Sequence, residues 1–570
     1  MSNFILKTLE TRELKLNTIR LRGFYGGKLR KGSGGGGSGD GFPQLPGDVT
    51  RWHFGGLTNE MMAAMDDPRI EDADHKGRFL SFKNFAWKEG SGISDVYPGF
   101  ILGDGVDDFA VTEKELNFED TYTVYTAFIP FQNNPTRNMI LCGADSKKTF
   151  SMQYSSLVYV SFIAGNNYYI NADFVNGLNL LACKRNGNNI CIKNLLTNKV
   201  VTGTCGDWVE NAGLYYLWKN ATYASFAKAA IAGQTICNGY FSTDEDDEKV
   251  LDWYKKQYPW LFPDQAWTVV GKTNEDEDRA TIANITGNGN DLVLSNFGFA
   301  EGSGYGLYAY NFNSFELRDN VVKPTDVKKD SFRIIGTGNS SNLLILTNES
   351  DSANWKIRIT GMKEGDSCIV GNANKSGDYI KIIKDGIYTF QKQYAATSIN
   401  GIWYNSSQEV DVLVEQIPEY EGYLITDGVD DKVQSSSFTM NEDWTIVGDW
   451  ELLSNVQINC GIVKAQNVYL YNTANGLLIS INNPRSLQSF GTKSLHAICS
   501  DGRLYDRNWV EYEYTVDQNF EIVKSSLNIG FNLNNYTQIA FKNLGIYNNQ
   551  LLSKDDCIKA YNYLQTLKAK

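Results

Sequence analysis

The pentapeptide DGVDD stands at residues 104–108 and again at residues 427–431. Each copy is followed by an acidic turn and then by alternating aromatic and β-branched residues, NFEDTYTVYTAF at 117–128 and TMNEDWTIVGDW at 439–450. Alternation of this kind is typical of a β-strand with one buried face. Because an internal repeat reveals the unit of folding, the sequence predicts two copies of one β domain.

Both copies also close alike, with a short amphipathic helix. The segment EDDEKVLDWYKKQY comes after Ser242 in the first copy, and DDCIKAYNYLQTL comes after Ser553 in the second. Both serines are predicted N-caps, because a serine hydroxyl accepts a free N–H of the first turn, and acidic residues there favour the helix dipole. Short strands and Gly/Asn turns fill each span, which has the size of a β-sandwich.

The rest of the chain divides around these two copies. Strand candidates such as SFRIIGT and WKIRITGM predict a third β-sandwich between them, without the DGVDD motif. A short helix that is capped by Thr58 or Asn59 and ends near Pro68 is predicted in the segment before the first copy. The predicted organisation is an arm at 1–41, a connector at 42–98, and β domains at 99–263, 264–421 and 422–570.

The composition of the 570 residues agrees with a mainly β chain. Gly (52), Tyr (32), Phe (29) and Trp (12) are abundant and Pro (11) and His (3) are scarce, which favours turn-rich β domains over helix bundles. Hydrophobic residues make up 42% and charged residues 21%, which excludes wholesale disorder. The net charge of -13 argues against specific nucleic-acid binding, which needs a surplus of Lys and Arg.

The first 31 residues differ from this acidic body, because they are basic. The Gly-rich run at 32–41 then separates them from the remainder, and such a run behaves as a flexible tether. Both a natural tether and a cloning linker have this composition. The basic residues predicted to anchor the chain are Arg12, Lys15, Arg20, Arg22, Lys28, Arg30 and Lys31.

Cysteine usage and hydropathy set the expected compartment. The nine cysteines lack CxxC pairing, and their odd number fits reduced thiols that pack as apolar side chains. Charged residues interrupt ILKTLETRELKL at 5–16, and no stretch reaches the roughly 18 apolar residues of a membrane span. We expect neither an export signal nor a membrane partner.

The DGVDD motif together with the closing segment GIYNNQLLSKDDCIKAYNYL (545–564) resembles the laminin G-like, concanavalin A-like jelly-roll family of bacterial and phage proteins. The resemblance covers about 99–263 and 422–570, and the first copy departs from the usual ending at 239–241. It implies a mainly β chain of tandem jelly-roll sandwiches with an intervening β-sandwich and an extended N-terminal arm.

The basic arm, the segment RWHFGGLTNEMMAAM (51–65) and the tandem jelly-rolls together are similar to virion proteins of tailed phages of gut bacteria, especially the crAss-like group. This resemblance implies a fibre or capsid decoration whose arm attaches to capsid or tail proteins. It implies a homo-oligomer, for which we expect a trimer, and a location in the virion after assembly in the host cytoplasm. A tethered basic segment on an acidic body suits attachment to a charged particle.

The acidic residues of the DGVDD motifs are candidate calcium ligands, because Ca²⁺ prefers several carboxylate oxygens close together. The alternative, which we favour, is a tight turn held by side-chain to backbone hydrogen bonds. No other cofactor is expected. The candidate ligands are Asp104, Asp107, Asp108, Asp427, Asp430 and Asp431.

Host surface polysaccharide is a further expected partner, because jelly-rolls commonly bind sugars with aromatic and Asn/Asp side chains on loops. Cross-strand aromatic pairing is the structural alternative for each candidate. The candidate glycan-binding residues are Tyr168, Tyr169, Trp403 and Tyr536.

Catalysis is not expected. The three histidines, His53, His75 and His496, lie in no recognisable nucleophile motif. The acidic run at 244–248 stands at a helix start, whereas a glycosidase needs two carboxylates that face each other across a cleft. Two other functions remain alternatives, a glycan-active hydrolase or lyase on the jelly-roll fold and a cell-surface adhesin, which the lack of an export signal disfavours.

Overall fold

The structure is a computed structural model of the whole chain. The described residues from Pro46 onward belong to one compact unit. The predicted basic anchor and most of the tether lie outside the described residues, and 41–45 carry no helix or strand. The described residues are 41–131, 139–144, 150–154, 158–164, 166–172, 177–208, 211–219, 226–299, 302–306, 316–317, 322–328, 330–337, 344–346, 354–371, 379–391, 400–417, 420–453, 460–465, 468–473, 476–481, 488–490, 494–514, 524–529, 531–532, 535–536 and 538–569.

The first half of the chain forms strands β1 to β18. Their bounds are β1 Asp48–His53, β2 Arg69–Glu71, β3 Phe79–Lys83, β4 Gly92–Ile93, β5 Ile101–Leu102, β6 Phe109–Thr112, β7 Leu116–Phe118, β8 Thr121–Pro130, β9 Met139–Ala144, β10 Phe150–Tyr154, β11 Val158–Ala164, β12 Asn166–Ala172, β13 Asn179–Asn186, β14 Asn189–Asn194, β15 Val200–Thr204, β16 Asn211–Gly213, β17 Tyr215–Leu217 and β18 Ala229–Asn238.

The second half forms strands β19 to β46. Their bounds are β19 Gln265–Thr268, β20 Thr281–Ile282, β21 Leu292–Ser295, β22 Gly304–Tyr305, β23 Glu316–Leu317, β24 Val322–Thr325, β25 Ser331–Thr337, β26 Leu344–Leu346, β27 Asn354–Thr360, β28 Ser367–Gly371, β29 Tyr379–Ile382, β30 Gly386–Gln391, β31 Asn400–Asn405, β32 Glu409–Ile417, β33 Leu424–Ile425, β34 Lys432–Thr439, β35 Trp444–Leu452, β36 Cys460–Ala465, β37 Val468–Thr473, β38 Gly476–Ile481, β39 Gln488–Phe490, β40 Leu495–Cys499, β41 Arg503–Asp506, β42 Glu511–Glu513, β43 Lys524–Ile529, β44 Phe531–Asn532, β45 Asn535–Tyr536 and β46 Ile539–Asn548.

Few helices accompany these strands in the described part of the chain. They are α1 Asn59–Ala63, α2 Asp244–Gln257, α3 Lys554–Thr566 and the 3-10 helix Pro259–Leu261. Among them, no helix combines the length and the apolar character that crossing a bilayer would require.

Two sandwiches share one sheet order, which confirms the predicted mainly β, jelly-roll class. The first sandwich pairs its strands as β15-β14-β13-β8-β18-β5-β4, with β1 on β18, and as β12-β11-β10-β9-β17-β6-β3-β2. The second sandwich repeats this as β42-β41-β40-β35-β46-β33-β22, with β19 on β46, and as β39-β38-β37-β36-β43-β34-β21-β20. Neighbouring strands pair antiparallel, and in each sandwich DGVDD joins the first sheet to the second.

The predicted connector supplies strands to the first sandwich. β1 pairs with β18 over six residues, and β3 pairs with β6. In the same way, β19 to β22 pair into the second sandwich, although they fall in the range 264–421 that we assigned to a separate domain. These strands are two to six residues long, and only their long-range pairing shows which sheet they belong to.

The third β body is an inserted domain of β23 to β32. It consists of the five-stranded sheets β23-β26-β31-β28-β29 and β24-β25-β32-β27-β30. Its core includes the buried side chains of Phe332, Ile357, Cys368 and Val412. It leaves the second sandwich after β22 and returns at β33, at the point where the first sandwich passes directly from β4 to β5.

The sequence carries this longer repeat in two further places. TNE at 58–60 recurs at 273–275, and NFAWKEGSG at 84–92 recurs as NFGFAEGSG at 296–304. Asn84 Nδ2 donates to the Asp107 carbonyl at 3.0 Å, and Asn296 Nδ2 donates to the Asp430 carbonyl at the same distance. The repeated residues therefore make the same structural contacts in both sandwiches.

The helix caps follow the predictions with one exception. Thr58 caps α1 and Ser553 caps α3, as expected. Helix α2 is capped by Thr243 instead of Ser242, through a capping box with Asp246. The Ser242 hydroxyl donates to buried Asp247 instead, because the chain turns one residue later than the sequence pattern indicated.

Most described cysteines are buried thiols, as the prediction of apolar packing requires. Cys183 and Cys237 lie in the first sandwich, Cys368 in the inserted domain, and Cys499 and Cys557 in the second sandwich. Cys191 is half-buried.

Candidate functional site

The two DGVDD turns have one geometry. In the first, Asp104 Oδ1 accepts the backbone N–H of Val106 at 2.7 Å, of Asp107 at 3.2 Å and of Asp108 at 3.4 Å. Asp108 Oδ2 accepts the Asp104 N–H at 3.0 Å. In the second turn, the corresponding bonds of Asp427 and Asp431 lie between 2.7 and 3.3 Å. These are the side-chain to backbone bonds of a tight turn.

The same carboxylates also come close to one another. In each turn, one oxygen from each of the three aspartates lies within 4.8 Å of the others. Burial raises the pKa of Asp108 and of Asp431 to about 6. Three carboxylates supply part of the six or more oxygens that Ca²⁺ takes, and two of them already accept backbone N–H groups of the turn. Calcium binding remains a prediction.

The candidate glycan-binding residues do not form one site. Tyr168 and Tyr169 lie in β12 of the first sandwich, opposite Phe162 and Ser161 of β11. Trp403 lies in β31 of the inserted domain. Tyr536 lies in β45, with Lys432 Nζ 5.8 Å from its ring centroid. These three places belong to different sheets, and their role in glycan binding remains a prediction.

Three aromatic side chains meet on the outer face of the second sandwich. The rings of His496 and Tyr561 stack with centroids 4.1 Å apart, and Trp509 lies edge-on to both, at 5.3 Å and 5.7 Å. His496 comes from β40, Trp509 from the turn after β41, and Tyr561 from α3. Tyr561 and Trp509 are half-buried, so part of each ring faces solvent.

A carboxylate lies beside these rings. Asp449 Oδ2 of β35 accepts hydrogen bonds from Tyr423 Oη at 2.8 Å, Gln565 Nε2 at 3.0 Å and Tyr561 Oη at 3.2 Å. Burial, and then the Asp449 charge, raises the pKa of both tyrosines, so their hydroxyls stay protonated and donate. We call His496, Trp509, Tyr561, Asp449, Tyr423 and Gln565 the aromatic–carboxylate cluster.

Several buried polar atoms of this region have no partner among the described residues. They are Nδ1 of His496 and both amide atoms of Asn543, the cross-strand neighbour of Asp449. Burial lowers the pKa of His496, which keeps the imidazole neutral near pH 7. Unpaired buried polar atoms are uncommon in native folds and call for a water or a ligand.

The backbone of Trp509 is unusual. Its φ is 59°, in the left-handed region that bulky residues rarely adopt. The first sandwich has a corresponding turn that is one residue longer. It is closed by Asn194 N–H to Lys199 O at 2.9 Å, where the second has Asp506 N–H to Val510 O at 3.2 Å. There the left-handed residue is Asn198, a residue that tolerates this conformation. Trp87 and Trp218 share this conformation, with φ of 50° and 60°, so the φ of Trp509 by itself assigns no function to its ring.

Sequence patterns could not reveal this cluster. Its members lie at 423, 449, 496, 509, 561 and 565, on five different elements and loops. The available signal was the mismatch between Asn198 and Trp509, which becomes visible only when the two copies are aligned strand by strand.

Comparisons with known proteins add little. No protein-family model and no curated protein matches the chain. Among solved structures, Trypanosoma rangeli sialidase in complex with sialic acid is 8% identical over 36% of this chain and 32% of that one, with a TM-score of 0.27. The chain thus spans about a third of the length of the sialidases it matches.

Two further structures show the same low level of similarity. One concerns botulinum neurotoxin type C, whose cell entry depends on two ganglioside molecules; it is 10% identical over 61% of this chain and 95% of that one, with a TM-score of 0.26. The other is domain 4 of a Geobacillus stearothermophilus arabinanase in complex with arabinotriose, 16% identical over 27% of this chain and 80% of that one, with a TM-score of 0.19. Similarity at this level carries no argument for fold or function.

Proposed function

We propose that this chain is a non-enzymatic, glycan-binding structural protein of a phage particle. Residues 1–41 attach it to capsid or tail proteins, and the β bodies project as a fibre or decoration that contacts host surface polysaccharide. The aromatic–carboxylate cluster is the observation that supports glycan binding, and the basic arm on an acidic body is the one that supports attachment.

The chemistry of the cluster suits a sugar. A pyranose presents an apolar C–H face, which stacks on aromatic rings, and hydroxyls, which bond to planar polar side chains. Trp509 and Tyr561 offer the rings. Asp449 is held by three donors through Oδ2, and its Oδ1 has no hydrogen bond among the described residues, so it can accept a sugar hydroxyl.

The arrangement favours binding over hydrolysis. Retaining and inverting glycosidases need two carboxyl groups free to act on the glycosidic bond. Asp506 is a second carboxylate near His496, but its Oδ1 accepts the N–H of Asn508 at 2.8 Å and of Val510 at 2.9 Å and so closes the turn. We therefore propose no bond-breaking step.

Glycan binding is tested by Trp509→Ala on an array of host surface polysaccharides. We expect the apparent affinity to fall at least about tenfold, because the main stacking surface is removed. The matched control is Asn198→Ala, which changes the same turn position in the first sandwich and should leave binding unchanged. If Trp509→Ala binds as the unmodified chain does, the cluster is not the glycan site.

Attachment and catalysis need separate experiments. Deletion of residues 1–41 should abolish incorporation into particles while the remaining chain stays folded and binds glycan; retained incorporation would reject the arm. Release of oligosaccharides from host polysaccharide, stopped by Asp449→Asn, would show that the protein is an enzyme.

A further inference from the structure

A cavity of about 150 Å³ lies where the two sandwiches meet. Its lining includes residues of the first sandwich, of α2, of the segment after the 3-10 helix, of the second sandwich and of α3. Among these residues are Lys255, Phe262, Asp264, Gln550, Tyr563 and Lys568. None of the predicted site residues that the structure describes lines this cavity.

Its walls are fixed by contacts between the two sandwiches. Tyr547 Oη donates to the Trp260 carbonyl at 2.8 Å, and the Asn548 N–H donates to Asp264 Oδ2 at 2.6 Å. The Tyr563 ring of α3 packs edge-on against Trp260 at 6.2 Å and against Tyr97 at 6.4 Å. The cavity is therefore built before any ligand arrives, as most ligand sites are.

One residue of the cavity wall, Gln550, has a hydrogen-bond acceptor without a donor. Gln550 Oε1 is buried and has no hydrogen-bond partner among the described residues, while its Nε2 donates to the Phe262 carbonyl at 3.4 Å. This oxygen has almost no accessible surface, so the Gln550 side chain has to turn toward the cavity before a ligand hydroxyl can satisfy it. Unpaired buried oxygens of this kind are uncommon unless a water or a ligand completes them.

Two cations lie at its rim. Lys255 of α2 and Lys568, just after α3, are exposed, and neither makes an ion pair in the part of the chain that the structure describes. The wall also contains a carboxylate, Asp264, whose pKa is raised by burial and whose Oδ2 is occupied by Asn548. The net charge that faces an incoming ligand at the rim is thus positive, on a protein whose total charge is -13.

We propose that this cavity binds an acidic sugar unit, a pyranose that carries a carboxylate. Its carboxylate contacts Lys255 and Lys568, one of its hydroxyls donates to Gln550 Oε1, and its C–H face packs on Phe262 and Tyr563. The inference rests on the proposed glycan binding and adds a second site with a defined class of ligand. A neutral sugar satisfies Gln550 but not the lysines, and inorganic phosphate makes no use of the apolar wall.

The test is isothermal titration of the full chain with glucuronate and, in parallel, with glucose. We expect glucuronate to bind more tightly than glucose, and Lys255→Ala combined with Lys568→Ala to weaken glucuronate at least about tenfold without changing glucose. Lys249→Ala is the matched control, because this exposed lysine of α2 pairs with Glu245 at 2.7 Å and is not part of the cavity.

A second variant separates binding from folding. Gln550→Met removes the unpaired oxygen at similar volume, so we expect an unfolding midpoint at least as high as that of the unmodified chain and weaker glucuronate binding. Equal affinity for glucuronate in the unmodified chain, the double lysine variant and Gln550→Met would overturn the proposal, and so would no binding of glucuronate at millimolar concentration.

The outcomes also distinguish this inference from the proposed function. If Trp509→Ala abolishes polysaccharide binding while the cavity variants behave as the unmodified chain does with glucuronate, the cavity proposal fails and the proposed function stands. If the chain binds neither polysaccharide nor glucuronate, both fail.

Discussion

In each sandwich, a buried pair of side chains joins the closing helix to the sheet. The two pairs occupy equivalent positions but consist of different residue types. In the first, Lys184 of β13 and Asp247 of α2 form a buried ion pair of 2.7 Å. In the second, the same positions hold Cys499 of β40 and Cys557 of α3. The equivalence follows from register, because Lys184 pairs with Thr123 of β8 and Cys499 pairs with the corresponding Thr445 of β35.

The ion pair belongs to a nearly complete network. Asp247 Oδ1 accepts from Tyr125 Oη at 2.9 Å and from Ser242 Oγ at 3.1 Å, and Lys193 Nζ lies 3.1 Å from Asp247 Oδ2. Lys184 Nζ also donates to the Ser242 carbonyl at 3.0 Å. A buried charge is tolerated when its partners satisfy it in this way.

The thiol pair performs the same anchoring with less charge. Hydrogen bonding to Cys499, followed by burial, raises the pKa of Cys557, which keeps this thiol protonated. The carbonyl equivalent to that of Ser242 belongs to Leu552, and it accepts from Arg503 Nη2 at 3.1 Å. The shape of the helix–sheet contact is thus shared by the two sandwiches, whereas the buried polar pair within it differs.

The largest expected effect comes from breaking the ion pair. Lys184→Met leaves Asp247 buried with only Lys193 as a counter-charge, and we expect a loss of about 3 kcal/mol in the unfolding free energy of the transition that includes α2. Urea unfolding, followed by hydrogen exchange of the α2 amides, measures it. Lys249→Met on the exposed side of α2 is the control and should change stability by less than about 0.5 kcal/mol.

A double variant sharpens this result. Lys184→Met with Asp247→Leu replaces the ion pair by an apolar pair, as the second sandwich nearly does, and should be more stable than Lys184→Met alone. A double variant that is less stable than the single one would show that the first sandwich requires charge at this contact.

The thiol pair should contribute less. Cys557→Ala removes a buried sulfur and its contact with Cys499, for which we expect a loss of about 1–2 kcal/mol. Thermal unfolding monitored in the second sandwich is the measurement, with the exposed α3 variant Asn562→Ala as control. A loss as large as that of Lys184→Met would mean that the two anchors are energetically alike, contrary to the comparison.

The DGVDD turns should make both sandwiches respond alike to pH. The pKa of Asp108 and of Asp431, about 6 in the folded chain, lies above the unfolded value near 3.8. The folded state then binds more protons between pH 4 and 6, so the stability from these groups is present below pH 4 and is lost as pH rises through 6.

Asparagine does not titrate at either position. The unfolding free energies of Asp108→Asn and of Asp431→Asn, relative to that of the unmodified chain, should therefore rise by about 1 kcal/mol from pH 4 to pH 7. Unfolding free energies at several pH values measure this gain, with exposed Asp107→Asn as the control. If the unfolding free energy rises in only one of the two variants, the two turns are not equivalent.

Chelation should have the smallest effect. Because Asp104 and Asp427 already hold their turns through three backbone N–H groups each, we expect EDTA to leave the thermal midpoint unchanged. A midpoint raised by added Ca²⁺ and lowered again by EDTA would establish both turns as metal sites.

Much of the fold could be predicted because it depends on local patterns. The repeated DGVDD, the alternation in the strands that follow it and the caps at Thr58 and Ser553 all act within a few residues of themselves. The domain boundaries could not be predicted in the same way. TNE and NF followed by EGSG do occur in both copies. These repeats are only a few residues long, however, and the inserted domain separates the second set from its DGVDD motif, so they did not reveal that both segments belong to the sandwiches.

The amino-acid sequence by itself determined that the chain is mainly β, that one unit occurs twice, and that Ser553 caps the second closing helix. The tertiary structure alone decided that β1 to β4 and β19 to β22 belong to the sandwiches, that Trp509 meets Asp449, and that Lys184 meets Asp247. The reason is physical. Turn, cap and alternation energies depend on neighbours in sequence, whereas strand pairing and side-chain contact join residues that only the folded sheet brings together.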